Sequence, residues 1–382
     1  RQNNPRGTGH AVAQAAPVLA DFDGDVVVLY GDTPFISAQS LQHLTRARQS
    51  YDIAVLGFEA ADPGRYGRLV KSGDSLEKIV EYKDADAATR AITLCNSGIM
   101  IAPSALLFRL IEKLQPDNAA GELYLTDIVE LARSEDRSVT AVTCDEAETI
   151  GVNSKADLAL AEAVFQHRAR LSAMEAGVTL RVPDTVQLAH DTRLGRDVVV
   201  EPYVVFGPGV SVADNVHIKS FSHLEGCHVS EGAVIGPQAR LRPGTTLGAA
   251  ARIGNFVEVK NAEIGAGAKI NHLSYVGDAH VGERANIGAG TITCNYDGVF
   301  KHRTEIGTEA FIGSNTMLVA PVSVGRGALT ASGSVITQDV PDEALAIARA
   351  PQENKPGFAR KFFDVLRGRK AKRDKTKKNE AD

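Results

Sequence analysis

The chain is 382 residues long, 43% hydrophobic and 23% charged, with a formal net charge of −5. This length holds two domains with cores of their own, and the mild acidity excludes a nucleic-acid or membrane-surface binder over the whole chain. No run of about 18 apolar residues and no leader-like stretch occurs, so membrane insertion and export are not expected, and Cys95, Cys144, Cys227 and Cys294 form no CxxC pair, which signals neither zinc nor a disulfide framework and suits a reducing cytoplasm.

The chain opens at Arg1 in a polar stretch without an initiator Met, from which we expect further sequence upstream. "RGTGHAVAQAAPVL" sets Gly7, Thr8 and Gly9 before an apolar-periodic helix near 10–20, whose free N–H groups would favour an anion. The glycines alone describe a tight turn equally well, and they do not match a dinucleotide fingerprint. "DVVVLYGDTPFI" at 25–36 reads as a buried parallel strand ending in Tyr30, Gly31 and Asp32, the strand end at which open α/β sheets bind ligands. A second strand at 53–58 and helical stretches at 38–49 and 104–114 support α/β architecture over 1–154. Residues 155–174 read as one amphipathic helix, within a linking segment 155–176, whose Ala-Leu face serves packing.

From there the pattern changes to a period of six. Leu188 is followed at this step by Leu194, Val200, Phe206, Val212, Ile218 and Leu224, and the beat resumes from Ile235 to Val259. Two five-residue steps carry it through Ile264, Ile270, Val276, Val281 and Ile287, and it returns between Ile306 and Ile336 with Thr330 as its one weak position. Two residues before each beat stands a small or β-branched side chain, such as Val198, Ala251, Ala268 or Ser274. Two inward positions per six residues describe short parallel strands, three to a coil, filling a narrow prism. The absence of Trp agrees, since large rings do not fit so thin an interior. A β-sandwich would instead show period-two runs between turns.

On such a prism, assigned to 177–340, chemistry must come from departures. His272 stands two residues after the Ile270 beat, at a corner and outside the core, and a histidine there has a pKa suited to general-base work on an amine. A solvated corner histidine fits the spacing as well. Arg242 and Lys260 lie three beats apart, one full coil, so they stack on one face and could clamp a phosphate or be a solvated pair. The insertion "TCNYDGVFKHRTE" at 293–305 carries Asn295, Tyr296, Lys301, His302 and Arg303; a polar loop leaving a solenoid reaches a ligand, meets a neighbouring subunit, or decorates the surface. Over 341–382 a C-terminal arm ends in a basic tail with ten Lys or Arg between Arg360 and Lys378, expected to be disordered and solvated. Salt-dependent attraction of that tail to coenzyme A phosphates, RNA or anionic lipid stays open; no specific nucleic-acid partner is expected.

A sheet domain with "YGD", followed by a prism bearing "RPG", "HLSYVGDA" and "GTITCNYDG", resembles the bacterial family of bifunctional N-acetylglucosamine-1-phosphate uridylyltransferase/glucosamine-1-phosphate acetyltransferase enzymes. The resemblance runs from "GTGHA" to "ARAPQ". It implies an α/β nucleotidyltransferase-like (Rossmann-like) domain, incomplete at its N-terminus, followed by a left-handed parallel β-helix of hexapeptide repeats. By that resemblance a cytoplasmic homotrimer transfers acetyl from acetyl-CoA to glucosamine 1-phosphate at sites between adjacent prisms. The implied base is His272, with Arg242 and Lys260 on the sugar phosphate and Tyr275 and Asn286 lining the sugar pocket. Asn295 and Tyr296 orient the acetyl group, and Ala289, Ser314, Ser332 and Arg349 match the coenzyme A site, Ser332 replacing an expected Ala.

In the sheet domain the resemblance implies that Gln2 reads the uracil edge and that Gly7 and Thr8 lie against the nucleotide. The strand end Tyr30, Gly31 and Asp32 belongs to the same site, Asp32 and Asn153 hold Mg²⁺, and Gly67, Glu81 and Asn96 position the sugar. The family's opening strand and glycine-rich loop have no counterpart here, so uridylyl transfer from UTP is expected to be lost. Two other readings compete: a non-catalytic assembly subunit, and a single-activity sugar-phosphate nucleotidyltransferase whose prism only oligomerises.

Overall fold

The computed structural model describes residues 5–379, with side chains through Arg373; the chain divides into two compact units, Arg1–Val164 and Phe165–Asp382. The first unit is a six-stranded sheet of β1 (Asp25–Val28), β2 (Ile53–Glu59), β3 (Arg68–Ser72), β4 (Ser75–Val80), β5 (Leu94–Pro103) and β6 (Val139–Cys144), in the order β1-β5-β2-β6-β4-β3. Around it run α1 (Thr8–Ala13), α2 (Ala38–Arg48), α3 (Ala87–Arg90), α4 (Ser104–Ile111) and α5 (Ile128–Ser134). Aliphatic β2 and β5 fill the centre, where Ile53, Val55, Leu56, Ile99 and Ile101 are buried. β2 pairs parallel with β6 and antiparallel with β5.

Two expectations for this unit are corrected. The strand read over 25–36 is only four residues long, and it runs antiparallel to β5 at the sheet edge. An apolar run reveals hydrophobicity but not which neighbours it has; with β5 as its only partner among the described strands, Val27 and Leu29 stay exposed. The helix expected over 10–20 ends at Ala13, followed by a single 3₁₀ turn at Ala16–Val18 that begins beside Pro17, a residue that cannot donate the next helical bond.

Then comes α6 (Lys155–Glu175), a single helix as the sequence implies but not an amphipathic one. Leu158, Leu160, Leu171 and Met174 are exposed. Its C-terminal half is seated on the first coil of the second unit by polar bonds: Gln166 Nε2 donates to Leu188 O at 2.8 Å, Leu188 N to Gln166 Oε1 at 3.0 Å, and Arg170 Nε to Val186 O at 2.7 Å.

The second unit is the parallel β-helix that the six-residue period describes. One face stacks in register through Val199, His217, Val234, Arg252, Lys269, Asn286, Phe311, Leu329 and Leu345. The beat residues and their small partners form one continuous core; Leu194 alone is partly buried among the aliphatic beats. Thr330 is tolerated inside because Gly313 N donates to its Oγ1 at 3.0 Å, so no polar atom is stranded. The two five-residue steps are places where Glu258–Ile264 and Tyr275–Val281 run through a corner as single strands, with Asn261 and Asp278 taking φ of 44° and 48°. Asn and Asp are the non-glycine residues that enter this region most readily.

Beyond the prism, α7 (Phe358–Asn379) is a helix, exposed through Arg373, which corrects the disordered tail. Charge favours solvation, but Lys, Arg, Ala and Leu are also good helix formers.

Candidate functional site

Each unit carries one candidate site. In the first, a cleft of about 410 Å³ is lined by Thr8, Tyr30, Asp32, Gly67, Glu81, Asn96 and Asn153, seven of the ten residues singled out from sequence. Gly7 (φ 107°) does not line this cleft; a Cβ on it would meet Leu123 O at 2.6 Å, so it serves the approach of α1 to 122–125. Gly31 does not line the cleft, and Gln2 lies outside the described residues. The helix start is less open to an anion than expected, since Gly9 N donates to Leu123 O at 2.8 Å and Thr8 Oγ1 accepts from Leu125 N at 3.0 Å.

Several lining residues escaped the sequence reading, among them Arg65, Tyr124 and Thr126. The Arg65–Tyr66 stretch is held by the buried guanidinium of Arg68, which donates to Gly64 O at 3.1 Å, to Arg90 O at 3.3 Å and to Tyr66 O. Burial pushes the Glu81 carboxyl up, against a 3.2 Å hydrogen bond from Thr126 Oγ1. Burial, then the charges of Glu81 and Asp32, raise Tyr30. Protonated hydroxyls and a poised carboxyl beside neutral Asn96 are suited to reading sugar hydroxyls.

Asp32 and Asn153 both reach this cleft, and Val152 N donates to Asp32 O at 2.8 Å, tying the two segments together. No group of three or more His, Cys, Asp or Glu suited to a metal exists among the described residues. One carboxylate and one amide oxygen fit Mg²⁺, which keeps several waters and takes its other ligands from substrate phosphates.

On the prism, His272 is exposed at a corner, at the end of Lys269–His272, and its Nδ1 lies 3.0 Å from Asn255 Oδ1 one coil below. The backbone ladder continues up this corner: Gly290 N donates to His272 O, Asn315 N to Ala289 O and Gly333 N to Ser314 O, at 3.3, 2.7 and 2.8 Å. Arg349 Nη1 caps the column on Ser332 O at 3.0 Å. His272, Ala289, Ser314, Ser332 and Arg349, distant in sequence, thus line one edge. Asn286 sits on the adjoining face in register with Lys269.

Around the corner, Arg242 follows Leu241, which pairs with Val259, so Arg242 and Lys260 stack on adjacent coils. Arg242 Nη1 donates to Glu258 Oε1 at 2.8 Å, and Glu258 pairs in register with Tyr275. The hub of this face is Asp278, which sequence reasoning missed. Its Oδ1 accepts from Asn261 Nδ2 at 2.6 Å and its Oδ2 from Asn295 Nδ2 at 2.5 Å, which anchors the insertion. Burial alone would raise Asp278, but these two amides with Lys301 and Lys260 outweigh it and hold the carboxyl low. Lys301 in turn pushes the Lys260 ammonium down. Asn295 is buried, whereas Tyr296 is exposed with its hydroxyl on Gly298 O at 2.6 Å.

A mixed α/β sheet with a polar nucleotide-sized cleft, and a hexapeptide prism with a basic face beside an exposed histidine, define a transferase with two reaction centres. A family model described as bacterial transferase hexapeptide (six repeats) matches residues 191–226. The bifunctional protein GlmU of Jannaschia sp. (strain CCS1) is 61% identical over 98% of this chain and 83% of its own length, and that of Ruegeria sp. (strain TM1040) is 64% identical over the same shares. The overlay on a solved apo-UDP-glucose pyrophosphorylase is loose, with a TM-score of 0.35 and 17% identity over 44% of this chain and 63% of that one. The chain belongs to the bifunctional GlmU family and is a bifunctional transferase.

Proposed function

We propose that the prism transfers acetyl from acetyl-CoA to the amine of glucosamine 1-phosphate, and that in the full-length parent the sheet unit transfers uridylyl from UTP to the resulting N-acetylglucosamine 1-phosphate, giving UDP-N-acetylglucosamine for the cell wall. The observation that carries the first half is His272 on its exposed corner, held by Asn255, with Arg242, Lys260 and Lys301 on the adjoining face. The cations take the sugar phosphate. The sugar amine attacks the thioester carbonyl while His272 Nε2 accepts its proton, and the coenzyme departs as thiolate when the tetrahedral intermediate collapses. Tyr275 and Asn286 line the sugar pocket. Tyr296 and Asn295, the latter held by Asp278, orient the acetyl group, and Ala289, Ser314, Ser332 and Arg349 bind the coenzyme along the corner.

In the sheet unit, Thr8, Tyr30, Gly67, Glu81 and Asn96 hold the sugar nucleotide. Asp32 and Asn153 would hold Mg²⁺, which neutralises phosphate charge when bound. We assign 1–154 to this unit, 155–176 to the link, 177–340 to acetyl transfer and 341–382 to the arm and tail. The working state is a cytoplasmic homotrimer. Its support is the hexapeptide prism itself, with Tyr203, Phe221, Phe256 and Leu273 exposed in a column on the corner that also bears His272. Among the described residues no helix is long and apolar enough to cross a membrane.

Thiol release from acetyl-CoA on addition of glucosamine 1-phosphate tests the reading. His272→Ala, with the trimer intact by sedimentation, is expected to lower turnover by roughly 10²–10⁴. Unchanged turnover in that variant excludes the assigned base, and no thiol release from the parent chain favours the assembly-subunit alternative.

A further inference from the structure

On the other side of the His272 corner from Arg242 and Lys260 lies a cavity of about 520 Å³ that shares only His272 and Asn255 with the acetyl-transfer site proposed above. It is lined by His217 and Lys219 on its lowest coil, by Arg252 and Asn255 two coils higher, and by Asn271 and His272 on the next, and no lining residue is acidic. Gly236 and Gly254 also line it; a Cβ on either would strike Ser222 Oγ or Asn271 O, so both serve the close approach of neighbouring turns.

The charge in this cavity is uncompensated. The carboxylate bonded to a lining residue, Glu201, is already engaged, with Oε1 at 2.9 Å from His217 Nε2 and Oε2 accepting from Ser220 N and Oγ at 3.2 Å each. The Lys219 ammonium and the Arg252 guanidinium have no ion-pair or hydrogen-bond partner among the described residues. Asn255 spends its amide oxygen on His272, which leaves its NH₂ facing the same space without a protein partner among them. By strand register the backbones that carry the two cations are two coils apart, roughly 10 Å at about 4.8 Å per coil. They therefore flank the cavity from two sides instead of converging on one point.

We propose that this cavity is a second anion site, for a ligand carrying a diphosphate, in which Lys219 and Arg252 each take one phosphoryl group and the asparagine amides donate to bridging oxygens. Two separated cations suit linked phosphoryl groups better than one monoester, and an uncharged ligand would leave both cations unsatisfied. The source is either the diphosphate of a bound coenzyme or a free diphosphate. The inference concerns binding alone, so it stands or falls independently of acetyl transfer.

Calorimetric titration of the full chain with inorganic pyrophosphate at low salt tests it. With glucosamine 1-phosphate present at saturation to occupy the Arg242 face, saturable binding is expected to weaken about tenfold or more in Lys219→Ala and in Arg252→Ala, to be abolished in the double variant, and to stay within about twofold of the parent in Arg326→Ala, whose guanidinium pairs with Asp342 and Glu343. Coenzyme A that competes with pyrophosphate assigns the site to the coenzyme, and coenzyme A that binds alongside it assigns the site to a free diphosphate; both leave the site standing. Binding that survives the double variant under these conditions, or that weakens as much in Arg326→Ala, overturns the proposal. So does a changed oligomeric size of the double variant in sedimentation, which would make these cations contacts to a neighbouring subunit.

Discussion

His272 and Asn255 occupy equivalent positions on consecutive coils, and the imidazole Nδ1 lies 3.0 Å from the amide Oδ1. An amide oxygen can only accept, so Nδ1 carries the ring proton and Nε2 keeps its lone pair toward solvent. Asn255 thus selects the tautomer that the base role proposed for His272 requires. Asn255→Ala is expected to lower kcat of acetyl transfer about tenfold, about 1.4 kcal/mol in the barrier, with KM changed much less. Asn255→Asp keeps the geometry but adds a negative charge, which favours imidazolium. The acidic limb of its pH–rate profile should move to higher pH, and a superimposable profile would show that Asn255 does not act through the ring.

Asp278 joins the basic face to the insertion, because Asn261, Asn295, Lys260 and Lys301 all converge on its carboxylate. Asp278→Ala leaves the buried Asn295 amide without its main acceptor, a loss of about 1–3 kcal/mol. Amide hydrogen exchange over 293–305 should accelerate and KM for acetyl-CoA should rise. Asp278→Asn retains an acceptor while removing a charge, so the loop should stay protected and glucosamine 1-phosphate should bind more tightly to the less compensated lysines. Equal behaviour of the two variants would sink the division between anchoring and charge.

The prism was legible because its core is written as a one-dimensional code: each inward residue comes six or five positions after the last, so burial could be read without knowing what packs on what. Arg242 above Lys260 follows from the same count. Asp278 was hidden although the Val276 to Val281 step marked the place, because its partners Asn261 and Asn295 sit on other coils and only register brings them together. The cleft was half legible. Its strand-end residues carry local motifs, but Arg65, Tyr124 and Thr126 come from separated segments with no shared period. β1 and the basic helix show the complementary failure, in which hydrophobicity or charge was read as neighbourhood or disorder.

Gly98 makes the space in which Tyr30 stands. Its φ is 82°, and a Cβ there would run into the Tyr30 ring, so Gly98→Ala meets both backbone strain and a collision. A destabilisation of about 1–3 kcal/mol is expected, together with weaker binding of UDP-N-acetylglucosamine in calorimetry. Removing the ring in Gly98→Ala/Tyr30→Ala should recover part of the stability but none of the affinity. A double variant less stable than Gly98→Ala alone would place the strain elsewhere.

Asp127 links the acidic side of the sheet unit to pH. Burial, followed by the charges of Glu130, Glu81 and Asp84, pushes its carboxyl from 3.8 up to about 6. A folded-state value above the unfolded one means that the folded chain binds this proton more tightly, so its stabilisation is complete below about pH 3.8 and is lost as pH rises through about 6. Asp127→Asn, which cannot ionise, should therefore leave stability nearly unchanged at pH 4 and raise it at pH 8. Because the group is only half-buried, solvent screening reduces the gain to the order of 1 kcal/mol. The measurement is the thermal midpoint of the full chain, variant minus parent, at the two pH values; an offset that is the same at both, or larger at pH 4, would mean that Asp127 titrates as an ordinary surface carboxylate.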